Sequence, residues 1–416
     1  MTAGCEPSAV FTVQTFWNYS RSVTRQLRDD RGKIFVAISA GWFLSIGVRM
    51  AYPVLLPFLR DDYGLSLTMA GLLLTLLWLA YAVGQMPGGM MGDRFGEGVT
   101  MAVSMLIAAA MIALIVGSDS TAALFVGTAL FGFAVALFGV VRLTALADVY
   151  PEQVGTAHGL LGGVGEIGNT VLPPLVGIIA AATVWQLGFG FLIPLFALVA
   201  VALWAFVPTR TSPTTDAAGT LTVENARYVL SELRHPSLVL GTVIMVFGVM
   251  IFQVFTGFYP TYLVEEKGLS VTAASGLFAL VFALGIVIQP LAGTTYDQIG
   301  ARRALLVVVG TSAVGFALLP LVDGVLSLAA ATVLIAIMAG RGTITLSYMT
   351  MALSADVQNT GLGIIRTVFF LLSATGPVIF GAIADRGYFD EVFFLLAGIS
   401  VLSLVVILRL PTVSRA

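Results

Sequence analysis

The sequence predicts an all-α membrane protein with twelve transmembrane helices in two six-helix bundles related by a pseudo-two-fold axis. Three observations carry that expectation. Of 416 residues, 58% are hydrophobic and only 10% charged, with a mean hydropathy of +1.00. Soluble domains carry about 25% charge, because water must wet their surface. The apolar residues fall in runs of roughly 20 or more, long enough to cross ~30 Å of hydrocarbon at 1.5 Å per helical residue. The chain also matches itself at an offset of 204 residues.

Residues 1–33 are expected to form a polar cytoplasmic tail, with Arg21, Arg25, Arg28, Arg31 and Lys33 and no signal-peptide core. Its composition favours disorder over a short surface helix carried by Phe11, Phe16 and Trp17. Apolar segments follow at 34–59, 67–91, 99–117, 121–147, 156–181 and 186–207, the N-terminal bundle of residues 34–207. A central cytoplasmic loop spans 208–237, rich in Thr, Pro and Ala at its start, with apolar residues at helical spacing from Val223 to Leu233. The C-terminal bundle, 238–410, holds segments 238–263, 272–294, 304–322, 325–352, 360–384 and 390–410, before a short tail of 411–416. Backbone groups in lipid must be satisfied internally, so each segment reads as a helix.

Basic residues set the orientation. With the N-terminus inside, the cytoplasmic tails and loops collect 13 Lys and Arg, and the outer loops only three, Arg60, Lys267 and Arg386. Both termini are therefore expected in the cytoplasm, with the protein in the plasma membrane. The net charge of −2 argues for no nucleic-acid partner. Cys5 is the single cysteine, and His158 and His235 lie far apart, so neither a disulfide nor a metal site is expected. No cofactor is expected either. No P-loop and no nucleophile–base constellation stands out, which disfavours an enzyme or a nucleotide-driven pump.

The repeat is sharpest at residues that hydrophobic sequences rarely share by chance. Gly64-Leu65-Ser66 falls on Gly268-Leu269-Ser270, Gln85 on Gln289, Asp93 on Asp297, Gly96 on Gly300 and Pro173 on Pro377. The loop after the second segment reads Gly89-Met90-Met91-Gly92-Asp93-Arg94-Phe95-Gly96-Glu97-Gly98, and its copy carries Asp297, Gly300, Arg302 and Arg303. This loop resembles the G-x-x-x-D-R-x-G-R-R signature of the major facilitator superfamily. The resemblance covers essentially the whole chain and implies secondary transport by alternating access, with Asp93, Arg94, Asp297 and Arg302 as gating residues. Glu97-Gly98 departs from the basic residues usual in the first copy.

Five ionisable residues lie inside the apolar segments: Arg49, Arg142, Glu166, Arg341 and Arg366. Each costs at least ~2.5–3.5 kcal/mol at the bilayer centre and so faces a bundle interior or an aqueous cavity. Arginine cannot escape by deprotonating. Four fixed positive charges against one carboxylate point to an anionic small-molecule substrate.

Arg49 is expected to bind that anion, with Gln253 opposite it at the 204 offset and Tyr52 one turn along. This stretch resembles the first-helix arginine of organic-anion carriers. Gln253, where organophosphate antiporters have arginine, favours a carboxylate or other monoanion. Arg341, with Tyr348 on its face, is a further expected substrate contact. Glu166 has two readings: a proton-coupling carboxylate, or a permanent ion pair with Arg142. Arg366, near the cytoplasmic end of its helix, reads as a gate residue or a snorkelling one. Gln85 and Gln289 read as interhelical hydrogen-bonding residues or cavity lining.

The expected function is thus proton-coupled transport of a small organic anion by a monomer. Proton-coupled efflux of drug-like amphiphiles keeps the mechanism but fits the arginine excess poorly. A non-transporting receptor or scaffold on the same fold leaves the cost of the buried charges without a use.

Overall fold

A computed structural model describes residues 30–211, 234–353 and 358–411. The expected N-terminal tail, the apolar pattern from Val223 to Leu233 and the last five residues lie outside the described residues. The described chain is helical throughout. The N-terminal bundle comprises α1 (Asp30–Tyr63), α2 (Leu67–Phe95), α3 (Glu97–Val116), α4 (Thr121–Val149), α5 (Val154–Ala182) and α6, the last in two pieces, Trp185–Gly190 and Leu192–Phe206.

The C-terminal bundle begins with α7 (Pro236–Glu265). A continuous run, Val271–Leu318, supplies both α8 and α9, because Gly300 adopts φ 78° and turns the chain back on itself. Then come α10 (Val325–Ala336 and Ala339–Ala352), α11 (Gln358–Ser373 and Gly376–Ala384) and α12 (Phe389–Leu408). Each of the twelve expected segments therefore falls on one helix. The helices overrun the apolar runs at their ends, because backbone hydrogen bonding continues into polar residues that the hydropathy pattern excludes.

The duplication is written into the local geometry. Ser66 and Ser270 are both N-caps, accepting from the amides of Met69 and Ala273 at 3.2 Å in each case. Gly64 and Gly268 precede them at φ 62° and 65°, and Gly96 and Gly300 occupy positive φ at 90° and 78°. These conformations strain any residue with a β-carbon, which is why the repeat survives at glycine.

Within the first bundle α1 packs on α5 and α2 on α4. The halves meet along α5 with α8, α2 with α11, and α1 with α7. The first two pairs are exchanged by the pseudo-two-fold axis, and the third is mapped onto itself. The axis therefore runs between α1, which carries Arg49, and α7, which carries Gln253.

Candidate functional site: an arginine pair in an aromatic cage

The two halves are joined at the end opposite the termini. Asp385, at the end of α11, accepts from the amides of Leu67 (2.6 Å) and Thr68 (2.8 Å) and from the Thr68 hydroxyl. Arg60 of α1 pairs with Glu265 of α7. Just below, the Val378 amide donates to the Thr75 hydroxyl at 3.2 Å. A β-carbon on Gly71 would collide with the Pro377 carbonyl, and one on Gly381 with the Leu67 carbonyl, so α2 and α11 touch through bare backbone. At the terminus-bearing end, α2 instead exposes Met86 and Met90, at 74% and 62%. The structure is sealed at one end and splayed at the other.

Between seal and splay sits Arg49, only 4% exposed. Its Nε donates to the Ser45 carbonyl at 3.1 Å, one turn back along α1. Its guanidinium lies 4.2 Å from the ring centre of Tyr81, 5.3 Å from Trp78 and 5.7 Å from Trp42. Arg142 of α4 lies on the same Trp42 ring at 3.4 Å and donates to the Gly139 carbonyl of its own helix. Gly139 leaves room for this crowding: a β-carbon there would stand 3.0 Å from the Tyr81 hydroxyl and 3.5 Å from Arg142 Nη1.

Two guanidinium groups thus share Trp42 and flank Tyr81. Among the described residues neither forms a salt bridge, and Arg142 Nε is buried with no acceptor. A desolvated cation on an aromatic face recovers about 2 kcal/mol, whereas burying an unpaired ion costs several. The cage holds the arginines in place and leaves their charge unneutralised.

Other expected residues lie elsewhere. Tyr52 does not line the site: it is fully buried in the first bundle, with the Phe189 and Phe131 rings centred at 5.2 and 5.8 Å. Its neighbour Pro53 sits inside α1 without ending it, so the side chain keeps the helical phase that points it at α4 and α6. Arg341 is turned into the C-terminal bundle, where its guanidinium donates to the Gly248 carbonyl of α7 and leaves Nε unpartnered. Tyr348 bonds to the Pro411 carbonyl at 3.0 Å near the terminus-bearing end. There, with Asp297, Arg302 and Arg303, it lines a separate cavity of about 690 Å³.

Gln253 is fully buried, and both polar atoms of its amide lack partners. It makes no hydrogen bond to Arg49. A buried unpaired amide costs about 1–3 kcal/mol.

Glu166 makes no salt bridge with Arg142. One carboxylate oxygen accepts from the Gln289 amide of α8 at 2.9 Å, across the two halves, and the other faces Asn169 at 3.4 Å. The 204-residue repeat had marked Gln289 without indicating that it reaches Glu166.

Asp93, Arg94, Asp297 and Arg302 are exposed at the splayed end and form no ion pairs among the described residues. The unusual Glu97 is buried, accepting from the Thr211 amide at 3.0 Å and so tying the first signature loop to the chain beyond α6. The most informative residue that sequence reasoning passed over is Trp42. A tryptophan in an apolar helix carries no periodic signal that separates a cage from a core.

Comparison with known proteins agrees with this architecture. Residues 37–357 and 289–416 match the profile of the Major Facilitator Superfamily. The chain belongs to that family, and it is a multi-pass membrane transporter of small solutes. A hexuronate transporter of Bacillus subtilis is 26% identical over 380 residues, 87% of this chain and 90% of the relative. A probable sulfoacetate transporter of Cupriavidus necator is 23% identical, over 86% and 88%. A 2-nitroimidazole transporter of Escherichia coli is 26% identical, over 85% and 90%. Among solved structures, a nucleoside transporter superposes with a TM-score of 0.79 at 13% identity, covering 91% of this chain and all of that one. A D-xylose–proton symporter gives 0.72 at 15% identity, over 92% and 98%. These structures share the fold.

Proposed function

We propose that the protein is a secondary active transporter of a small organic anion of the carboxylate class, working by alternating access and coupled to protons. The observation that carries this reading is the Arg49–Arg142 pair, buried, caged by Trp42, Trp78 and Tyr81, and without a carboxylate partner among the described residues. Arginine forks bind carboxylates in bidentate fashion, and such charge-assisted bonds are about twice as strong as neutral ones. A substrate carboxylate supplies the counter-ion that the protein withholds. The unpartnered amide of Gln253 offers a hydrogen bond from the other half. Hexuronate and sulfoacetate, the solutes named for two relatives, are organic anions.

Glu166 is the proposed coupling group. Its hydrogen bond to Gln289 spans the interface that must part when the seal and the splay exchange ends. A carboxylate accepts that bond readily; a carboxylic acid, with one oxygen now a donor, holds it less strongly. Proton binding at Glu166 would therefore loosen the contact between α5 and α8. The charge asymmetry of the loops supports cytoplasmic termini, and on that reading this conformation is inward-open. Asp93, Arg94, Asp297 and Arg302 then form the inner gate, unengaged in this state.

The test is a thermal-shift screen of monocarboxylates, sugar acids and neutral amphiphiles, followed by uptake into proteoliposomes with and without a pH gradient. Anions should stabilise the protein and accumulate with the gradient. Preferential binding of neutral or cationic amphiphiles would instead support the reading as an exporter of drug-like solutes.

A further inference from the structure

The second half of the anion site is not where the duplication points. Position 49 maps to Gln253, which is neutral, and the arginine of α10 is turned onto the Gly248 carbonyl. The C-terminal bundle nevertheless brings a positive charge to the cage, from α11. Phe370 of α11 meets Tyr81 across the halves, ring centres 6.2 Å apart at 68°. Arg366 lies one turn towards the splayed end on the same helix. It is exposed, unlike Arg49 and Arg142. It forms no salt bridge among the described residues. Arg49 and Arg142 thus flank Tyr81 from one half, and Arg366 stands one turn from the ring that meets Tyr81 from the other.

We propose that Arg366 is the substrate ligand of the C-terminal half, and that the preferred substrate is an organic dianion with two separated anionic groups, one on Arg49–Arg142 and one on Arg366. This rests on the anion reading of the Arg49 cage and extends it. One carboxylate cannot neutralise three guanidinium groups divided between two moving bodies. In the empty protein, closure of the splayed end drives Arg366 towards Arg142 against like-charge repulsion. A ligand that is anionic at both ends replaces that repulsion with two attractions and draws the halves together. A monoanion satisfies one half only. Phe370 and Tyr81 offer ring edges to a spacer between the anionic groups.

The experiment compares binding of straight-chain α,ω-dicarboxylates of three to eight carbons with their half-amides, which keep the length and lose one charge. The full chain is used in wild-type form and as Arg366→Gln, Arg366→Lys and Arg49→Gln. At the best-fitting length, wild type should bind the dicarboxylate roughly tenfold more tightly than its half-amide. Arg366→Gln should bring that ratio close to one while leaving half-amide affinity within about twofold, and Arg366→Lys should restore part of the preference. An unchanged ratio in Arg366→Gln overturns the proposal. So does an equal loss of both ligands in Arg366→Gln and Arg366→Lys, which marks a structural role. If wild type binds monocarboxylates and half-amides as tightly as dicarboxylates, the dianion proposal fails and the anion reading stands. If no carboxylate binds wild type and Arg49→Gln behaves identically, both fail.

Discussion

The Asp385 carboxylate caps the first turn of α2, one oxygen on the Leu67 amide and the other on the Thr68 amide, at 2.6 and 2.8 Å. Asp385 belongs to one bundle and α2 to the other, so a capping interaction here acts as a latch between moving bodies. An anion at a helix N-terminus meets unsatisfied amides and the positive end of the dipole.

Removing the latch should open the sealed end. Losing a side-chain acceptor at a helix N-terminus costs about 1 kcal/mol, so Asp385→Ala should shift the conformational population by roughly fivefold. The measurement is the rate at which an impermeant maleimide labels Thr75→Cys in a Cys5→Ser background, which should rise several-fold. Acid should act in the same direction. Burial pushes the Asp385 carboxyl up, but the Thr68 hydroxyl and amide, the Ser66 hydroxyl and the Leu67 amide together outweigh it and hold the group below the usual carboxylate range. The latch is therefore complete above the ordinary aspartate value of about 3.9 and is lost as pH falls through the depressed one. Labelling relative to a permanently exposed reference cysteine at the same pH should stay flat from neutral pH down to about 4 and rise only below it.

Loss of either caged arginine should weaken anion recognition without unfolding the chain. Hydrogen bonds to charged groups contribute about 1.5–3 kcal/mol each. Arg49→Gln and Arg142→Gln should each weaken substrate binding at least tenfold, read by calorimetry. Their melting temperatures should stay level or rise, because each removes a buried charge that the protein leaves unpaired.

Glu166→Gln tests coupling separately from binding. The neutral amide can still bond to Gln289, so the contact between α5 and α8 persists in altered form. The variant should retain substrate counterflow and lose accumulation driven by a pH gradient. Wild-type accumulation by this variant would remove Glu166 from the coupling scheme.

Gly248 and Arg341 should prove inseparable. A β-carbon at 248 would overlap the Arg341 guanidinium, which lies on the α7 backbone. Gly248→Ala should destabilise the C-terminal bundle by about 1–3 kcal/mol, the range for overpacking. Adding Arg341→Leu should recover most of the lost melting temperature. An Arg341 that contacts substrate instead would leave Gly248→Ala stable and make Arg341→Leu defective in binding.

The twelve helices and the duplication were legible in the sequence because both are set by local rules. A hydrocarbon layer demands a long apolar run for every crossing, and a turn at positive φ demands glycine at Gly96 and again at Gly300. The four arginines inside the apolar segments were equally legible, because a charge in an apolar run is conspicuous. Their partners were not. Arg49 and Gln253 share a register but make no hydrogen bond, since Arg49 is held by rings from its own half.

Sequence alone thus determined the family, the span count and the presence of an excess of buried positive charge. Only the tertiary structure decided that Arg142 stacks on Trp42 rather than pairing with Glu166, that Tyr52 is core, and that Arg341 faces α7. The reason is rotational. Hydropathy fixes where a helix begins and ends, but in a chain apolar all round its helices it says little about which side of each meets which neighbour. That choice is made by close packing at bare glycines and by the few polar groups that must find one another across the bundle.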